Sequence, residues 1–361
     1  MAEPAGPGGR RREHRPSTPA EVVAFQAESC GVVGSRLYEQ ILWGVLDDLQ
    51  AGGVCARVLA DRGEDPFGTA LALRLLGTVH RIALDGRAPE LAAIYPSTGG
   101  DPSSGDPVGA FLRVVAEHEA EVSARITDGV QTNEVGRSAA LVGGFAAVQL
   151  ETGLPLRVLE VGASAGLNLR FDHYAYDTGD QVVGDPASPV RFEGVWDGPP
   201  PPLPARLDVG ERRGCDRNPI DAGSDEGRLA LLSYVWPDQL DRIRRLDGAL
   251  EVARRVPVEI DRGDAVDWTA AQLAVPAPGL ATVLVHSIVV QYLGPTRRRR
   301  LEAAISGAGR DATDAAPLAW LRMEPATEDA AELRLTRWPG GEERLLGHAG
   351  YHGTPVRWGP G

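Results

Sequence analysis

Leu156-Arg-Val-Leu-Glu160-Val-Gly162-Ala-Ser164-Ala-Gly166-Leu-Asn168-Leu169 decides how the chain is read. Leu156, Val158, Leu159 and Val161 form a short apolar run with β-branched members, the pattern of a strand buried in a parallel sheet. Gly162 and Gly166 bracket a tight turn, and the run after Gly166 is expected to open a helix. Strand, glycine turn and helix start together make a ligand cradle. Its backbone N–H groups point outward, and its glycines carry no Cβ to hold a ligand away. Glu160 falls at the carboxyl edge of the strand, where open α/β sheets bind ligands.

Three chemistries compete for this stretch. Gly162-Ala-Ser164-Ala-Gly166 fits G-x-S-x-G, the elbow that makes a serine nucleophilic in α/β-hydrolases. A dinucleotide fingerprint, G-x-G-x-x-G, is not matched, because Ser164 stands in the place of the middle glycine. An acid, one residue, then Gly-x-x-x-Gly (Glu160-Val-Gly162-Ala-Ser-Ala-Gly166) resembles the first motif of class I S-adenosylmethionine (SAM) methyltransferases. A turn whose glycines serve packing alone is the plainer alternative.

Composition narrows the field. The 361 residues suggest one large domain or two smaller ones, and 43% hydrophobic content suffices for a core. A net charge of −13 argues against nucleic acid as a partner. The Arg297–Arg300 run reads as the exposed face of a helix. All 37 basic residues are arginine. The absence of lysine excludes a Schiff-base lysine, a Walker A loop and a Ser–Lys dyad. Cys30, Cys55 and Cys215 make no C-x-x-C pair and read as small buried hydrophobes. No metal is expected: His348 and His352 are four apart but lie in a Gly-rich hairpin rather than on one helix face. No apolar run reaches the roughly 18 residues of a membrane span. Arg10–Arg12 is followed by no apolar core of a signal peptide, so a cytoplasmic protein without membrane contact is expected.

Residues 1–16 carry little to bury and are expected to be a disordered tail. Residues 17–153 read as helical throughout. Thr18-Pro-Ala-Glu21 is a capping box, and Ser35–Gln50 places Leu37, Ile41, Leu42, Val45, Leu46 and Leu49 on one face. Further helices are expected over Phe67–His80, Leu91–Tyr95, Pro107–Ile126 and Asn133–Glu151. Residues 154–361 read as the sheet domain, with an insertion at 174–212 in which Val182–Phe192 suggests a strand pair. Two helices then break at Trp236-Pro237. Strands follow at Val256–Ile260, Ala281–Val285 and Leu318–Met323, with a helix at Arg297–Ser306. A closing hairpin, Glu332–Trp338 with Glu343–His352, turns at Pro339-Gly-Gly341.

Read in this order, Glu160–Gly166, Asp216 before Asn218-Pro219, Gly263-Asp264, His286-Ser287 and the terminal hairpin resemble a class I SAM-dependent methyltransferase over residues 156–358. The resemblance implies an α/β fold: a Rossmann-like methyltransferase sheet of parallel strands plus a C-terminal antiparallel hairpin, here preceded by an all-helical domain. It implies SAM as cofactor, held by Glu160, Gly162, Ser164, Gly166, Asn168, Asp216, Asp264 and Ser287. In that scheme Asp216 accepts from the ribose hydroxyls, Asp264 accepts from the adenine amino group, and Ser287 faces the sulfonium. Plainer roles stand beside these: an Asx turn for Asp216 and a helix N-cap for Asp264. Ser164 departs from the family's middle glycine, and a long insertion separates the first two core strands. The whole chain, through Gln131-Thr-Asn-Glu-Val-Gly-Arg137 and Gly162–Asn168, also resembles a bacterial family of unknown function that carries a helical domain before such a core.

For methyl transfer to an unknown small molecule, His286 and His173 are the candidate bases, since imidazole titrates near neutrality. A satisfied core histidine is the alternative for His286. Tyr292, Tyr174 and Glu324 stand behind them. Asn133, Glu134 and Arg137 begin an otherwise apolar helix and are expected to face the cleft between the helical and sheet domains and touch the acceptor; an N-cap at Asn133 is the alternative. Three further readings remain: a SAM-fold binding module without transfer, a non-methyl substitution in biosynthesis, and a hydrolase with Ser164, then Asp264 or Glu324, then His348 or His352. The sequence fixes no oligomeric state.

Overall fold

The computed structural model describes residues 16–60, 62, 65–327 and 330–359. All but the last residue of the expected disordered tail lie outside this set. The chain divides into two compact units. The first runs to Val130 and takes in Trp236–Asp238; the second holds Gln131–Val235 and Gln239–Gly361. The division falls before the helix that starts at Ser138, so that helix belongs with the sheet unit rather than with a helical region ending at 153.

The first unit is helical: α1 (Pro19–Val33), α2 (Arg36–Gln50), α3 (Val54–Leu59), α4 (Leu71–Leu84), α5 (Pro89–Ile94), α6 (Pro107–Glu117) and α7 (Glu119–Arg125). The Thr18 box closes α1 as its sequence requires. Thr18 Oγ1 accepts from Glu21 N–H at 3.2 Å, and the Glu21 carboxylate accepts from Thr18 N–H at 3.0 Å. Helix α4 starts later than Phe67, because Asp65 Oδ1 accepts from Gly68 N–H and Ala70 adopts φ +53°, which holds 65–70 as turns. Pro107–Ile126 is two helices, not one, meeting at His118. Trp236 packs beside Tyr38, ring centroids 6.2 Å apart, and Asp238 accepts from the buried Ser35 hydroxyl at 2.8 Å.

The second unit opens with α8 (Ser138–Thr152), buried on nearly every side, where Gly143 and Gly144 leave room for Trp358 and Leu321. Strand β1 (Leu156–Val161) follows and is buried at every position. Within the insertion, β2 (Ala175–Asp177) pairs antiparallel with β3 (Val182–Gly184) and parallel with β4 (Arg191–Glu193). The expected 182–192 strand pair is therefore corrected: its two strands flank β2 and do not pair with each other. Then come β5 (Val209–Asp216), α9 (Asp225–Ser233), α10 (Leu240–Arg255), β6 (Glu259–Arg262), α11 (Ala265–Leu273), β7 (Ala281–Ser287), α12 (Gly294–Arg310), β8 (Leu318–Pro325), β9 (Ala331–Trp338), β10 (Glu342–Ala349) and β11 (Val356–Trp358).

The main sheet runs β11-β10-β9-β8-β7-β1-β5-β6. Strands β6, β5, β1, β7 and β8 are parallel; β9, β10 and β11 alternate antiparallel beyond them. The fold is thus α/β with a large, mostly parallel sheet and a helical N-terminal region. The chain winds outward from β1 through β5 to β6, then returns to β7 on the other side of β1. The order reverses between β1 and β7, and this switch point is where open α/β sheets place ligands. Strand β10 ends at Ala349, short of His352, and the chain turns there before β11 extends the hairpin. Among the described residues, no helix is long and apolar enough to cross a membrane.

Asp238→Ala is expected to destabilise the intact chain by about 1–3 kcal/mol, because the buried Ser35 hydroxyl loses a charged acceptor. The urea midpoint checks this; an unchanged midpoint contradicts it.

Candidate functional site

The bend after β1 is held from within. Gly162 N–H and Ala163 N–H donate to the Cys215 carbonyl at 2.8 and 3.1 Å, and Ser164 N–H donates to Asp216 Oδ2 at 2.9 Å. Gly166 N–H donates to the Ala163 carbonyl at 2.7 Å, and Leu167 N–H to Asn133 Oδ1 at 2.8 Å. This corrects the expected cradle, since these donors are used inside the protein. The glycines have a packing task. Gly162 has φ +73° and Gly166 φ +66°; a Cβ would stand 2.5 Å from Val289 Cγ2 at the first and 2.7 Å from Ile260 Cδ1 at the second. The expected helix after Gly166 is instead a 3-10 turn, Asn168–His173, kinked at Arg170. Arg170 Nη1 binds the carbonyls of Ala165 and Gly166 there, which draws the chain away from an α-helical path.

Two atoms at the bend are left over. Glu160 and Ser164 are each 3% exposed, and neither Glu160 Oε2 nor Ser164 Oγ has a hydrogen-bond partner among the described residues. Such atoms cost about 1–3 kcal/mol each when buried. Desolvation pushes the Glu160 carboxyl from its ordinary 4.5 up to about 8; Arg137 opposes the shift and Asp216 adds to it. Backbone strain collects at the same place. Ser164 has φ +53° and Ile288, just beyond β7, has φ +56°. Left-handed backbone is uncommon for serine and a genuine outlier for a β-branched residue, and such strain concentrates at functional sites. The two flank the switch point between β1 and β7.

Asp216 and Asp264 lie at the same sheet edge, because Gly263 N–H donates to the Asp216 carbonyl at 3.0 Å. Asp216 Oδ1 accepts from Asn218 N–H at 2.8 Å, the Asx turn, while Oδ2 holds the bend. Each oxygen has a second lone pair, so acceptor capacity remains. Asp264 caps α11, accepting from Val266 and Asp267 N–H, and is ion-paired with Arg297. The plainer of its two readings is the one seen.

His286 is fully buried. Trp320 Nε1–H can only donate, so His286 Nε2 accepts at 3.0 Å, and Nδ1–H donates to Glu324 Oε1 at 2.6 Å. Both ring nitrogens are occupied, which corrects its assignment as a base: it is a satisfied core histidine. Glu324 also accepts from the N–H groups of Val289 and Val290, fixing the turn in front of Gly162. His173 is half-exposed, 3.6 Å from Asp172, which pairs with Arg212. Tyr292 is exposed, and Tyr174 is buried with its hydroxyl on the Leu167 carbonyl.

Asn133, Glu134 and Arg137 belong to the sheet unit and brace the bend. Asn168 donates to the Glu134 carbonyl and accepts from Ser138 Oγ at 2.7 Å. Glu134, not Asn133, caps the 3-10 turn Val135–Arg137 by accepting from Gly136 N–H. The Glu134 carboxylate pairs with Arg242 and lies 3.3 Å from His352 Nδ1; the Arg242 charge, with the contacts of His352 and Gly136 N–H, holds it well below the carboxylate range against its burial. Arg137 donates to the carbonyls of Tyr351 and Ser287 at 3.1 and 3.0 Å. Sequence reading missed Arg242 and Trp320, and weighed His352 only as a hydrolase or metal residue. Their partners lie 34 to 218 residues away, so no local spacing marks them.

The hydrolase relay is not assembled. Ser164 Oγ has no partner, His348 lies 3.9 Å from Glu332, His352 is at Glu134, and Glu324 is on His286. Among the described residues, no group of three or more His, Cys, Asp or Glu is arranged to hold a metal ion.

A family model described as "Uncharacterized protein conserved in bacteria (DUF2332)" matches residues 20–358. No curated protein and no solved structure gives a significant match.

Because the folded carboxyl of Glu160 binds its proton more tightly than the unfolded one, the chain loses stability as pH rises from about 4.5 to 8, at about 1.4 kcal/mol per unit from this group, and the loss levels off above. Glu160→Gln removes that dependence. Its stability relative to wild type should grow across this window in urea titrations; a difference that is flat with pH contradicts the assignment.

Proposed function

The chain belongs to that bacterial family, and from this premise we propose that it binds SAM at the bend after β1 and transfers the methyl group to a small molecule. The observation that carries the reading is the pair of partnerless buried atoms, Glu160 Oε2 and Ser164 Oγ, at the switch point of a parallel sheet. A ligand with several hydroxyl and amino groups satisfies them, and this is the chemistry of a nucleoside-linked amino acid. Glu160, Ser164 and Asp216 would hold it, with Ser287 at the neighbouring strand end. When bound, SAM supplies a methyl group on a sulfonium, already an excellent leaving group. The protein's work is then alignment of the acceptor and exclusion of water. The bend suits that work, because nearly every backbone donor in it is fixed.

A second reading is favoured by one observation: His286 has no nitrogen free to take a proton. It keeps SAM binding but omits transfer, leaving a binding module or a different substitution.

Calorimetric titration of the full chain with SAM and with S-adenosylhomocysteine tests both. Binding is expected, about tenfold weaker or more in Asp216→Ala, with circular dichroism used to check that the variant is folded. Transfer from labelled SAM into a small-molecule extract supports the first reading. Binding without transfer supports the second. Absence of binding overturns both.

A further inference from the structure

The face of α10 that meets residues 134–137 carries more positive charge than its surroundings balance. Three guanidinium groups gather there. Arg242 donates to Glu134 through Nε at 2.8 Å and Nη2 at 2.5 Å. Arg137 donates to the Tyr351 and Ser287 carbonyls and to the Ser287 hydroxyl, and to no carboxylate among the described residues. Arg245 is half-buried and makes no hydrogen bond or ion pair among the described residues. Its guanidinium rests over the Phe192 ring, Cζ 5.4 Å from the centroid. Its Nη1 stands 3.2 Å from where a Cβ on Gly136 would lie, a spot that the His352 carbonyl and Glu134 Oε1 also approach.

The facing acids do not balance this set. The Glu134 carboxylate is divided among Gly136 N–H, Arg242 and His352. Glu324 is taken by His286 and two backbone N–H groups. Asp241, on the exposed side of α10, pairs with Arg244. His352 contributes little charge at neutral pH, because burial and the neighbouring Arg242 hold its pKa below the ordinary imidazole value. Desolvation lowers the pKa of Arg245; the Glu134 charge opposes the shift and Arg242 adds to it. A partly buried guanidinium without a carboxylate is costly, and its planar fork matches carboxylate and phosphate oxygens. Arg242 and Glu134 also line a small recess with Asn133 and Tyr234, of about 20 Å³, room for about one water-sized oxygen of a ligand's charged group.

We propose that Arg245, with Arg242 beside it, forms an anion site that takes the carboxylate or phosphate group of a small-molecule ligand. The site stands apart from SAM recognition, since binding of simple anions by the chain alone decides it.

The test is titration of the full chain with inorganic phosphate and, separately, citrate, at constant ionic strength set with chloride. Saturable binding of at least one is expected. Preference between the two identifies the ligand group as phosphate or carboxylate. Arg245→Gln should bind about tenfold more weakly or less, having lost a charge-assisted bond, while Arg245→Lys keeps part of the affinity. Arg244→Gln, one residue away on the exposed side, should bind as wild type. Without anion, Arg245→Gln should be at least as stable as wild type in urea, which separates lost binding from lost folding. No saturable binding of either anion, equal binding by Arg245→Gln, or equal losses in Arg244→Gln and Arg245→Gln would overturn the proposal.

Discussion

A carboxyl oxygen and a hydroxyl are buried without partners at the end of the central strand, and the structure around them is arranged to keep them so. Relaxation at the bend would let Glu160 and Ser164 reach water or a neighbour. Cys215 and Asp216 prevent it from one side and Asn133 from the other. The strand itself cannot shift, because β1 is bonded to β5 and β7 along its length. Natural proteins seldom keep such atoms without reason, because each lowers a stability of only about 5–15 kcal/mol by a noticeable share. Their concentration with two strained residues at one switch point is what marks this edge as the candidate site.

The second constraint is electrostatic. Glu134 is a buried carboxylate that survives as an ion because Arg242, His352 and Gly136 N–H surround it. Coulomb attraction there outweighs desolvation, the reverse of Glu160, whose nearest cations do not touch it. The contrast divides the labour. Glu134 is structural, tying α10 and the 350–353 turn to the segment that braces the bend. Glu160 keeps an open oxygen. Removing one partner of a buried pair costs about 3–5 kcal/mol, so the brace is rigid where the bend needs it to be.

Much of the fold could be read from local pattern. The apolar β-branched run at Leu156–Val161, the Thr18 box and the turn at Pro339–Gly341 each carry their own signal. What could not be read depends on distant partners. The glycine rule presented the bend as an open cradle, because nothing nearby shows that Asp216, 52 residues on, captures the Ser164 N–H. His286 looked like a base because Trp320 and Glu324, which occupy its two nitrogens, belong to the next strand. Asn133, Glu134 and Arg137 were legible as a polar cluster, but their direction is set by Leu167, Arg242 and Ser287, and no periodicity announces that.

The most direct test is to follow the Glu160 carboxyl itself by infrared difference spectroscopy, assigning its band by loss in Glu160→Gln. A titration midpoint near 8 that moves when SAM is added is the expected result. A midpoint near the ordinary 4.5, or one indifferent to SAM, would mean that the buried oxygen is neither held in the way described nor turned toward that ligand.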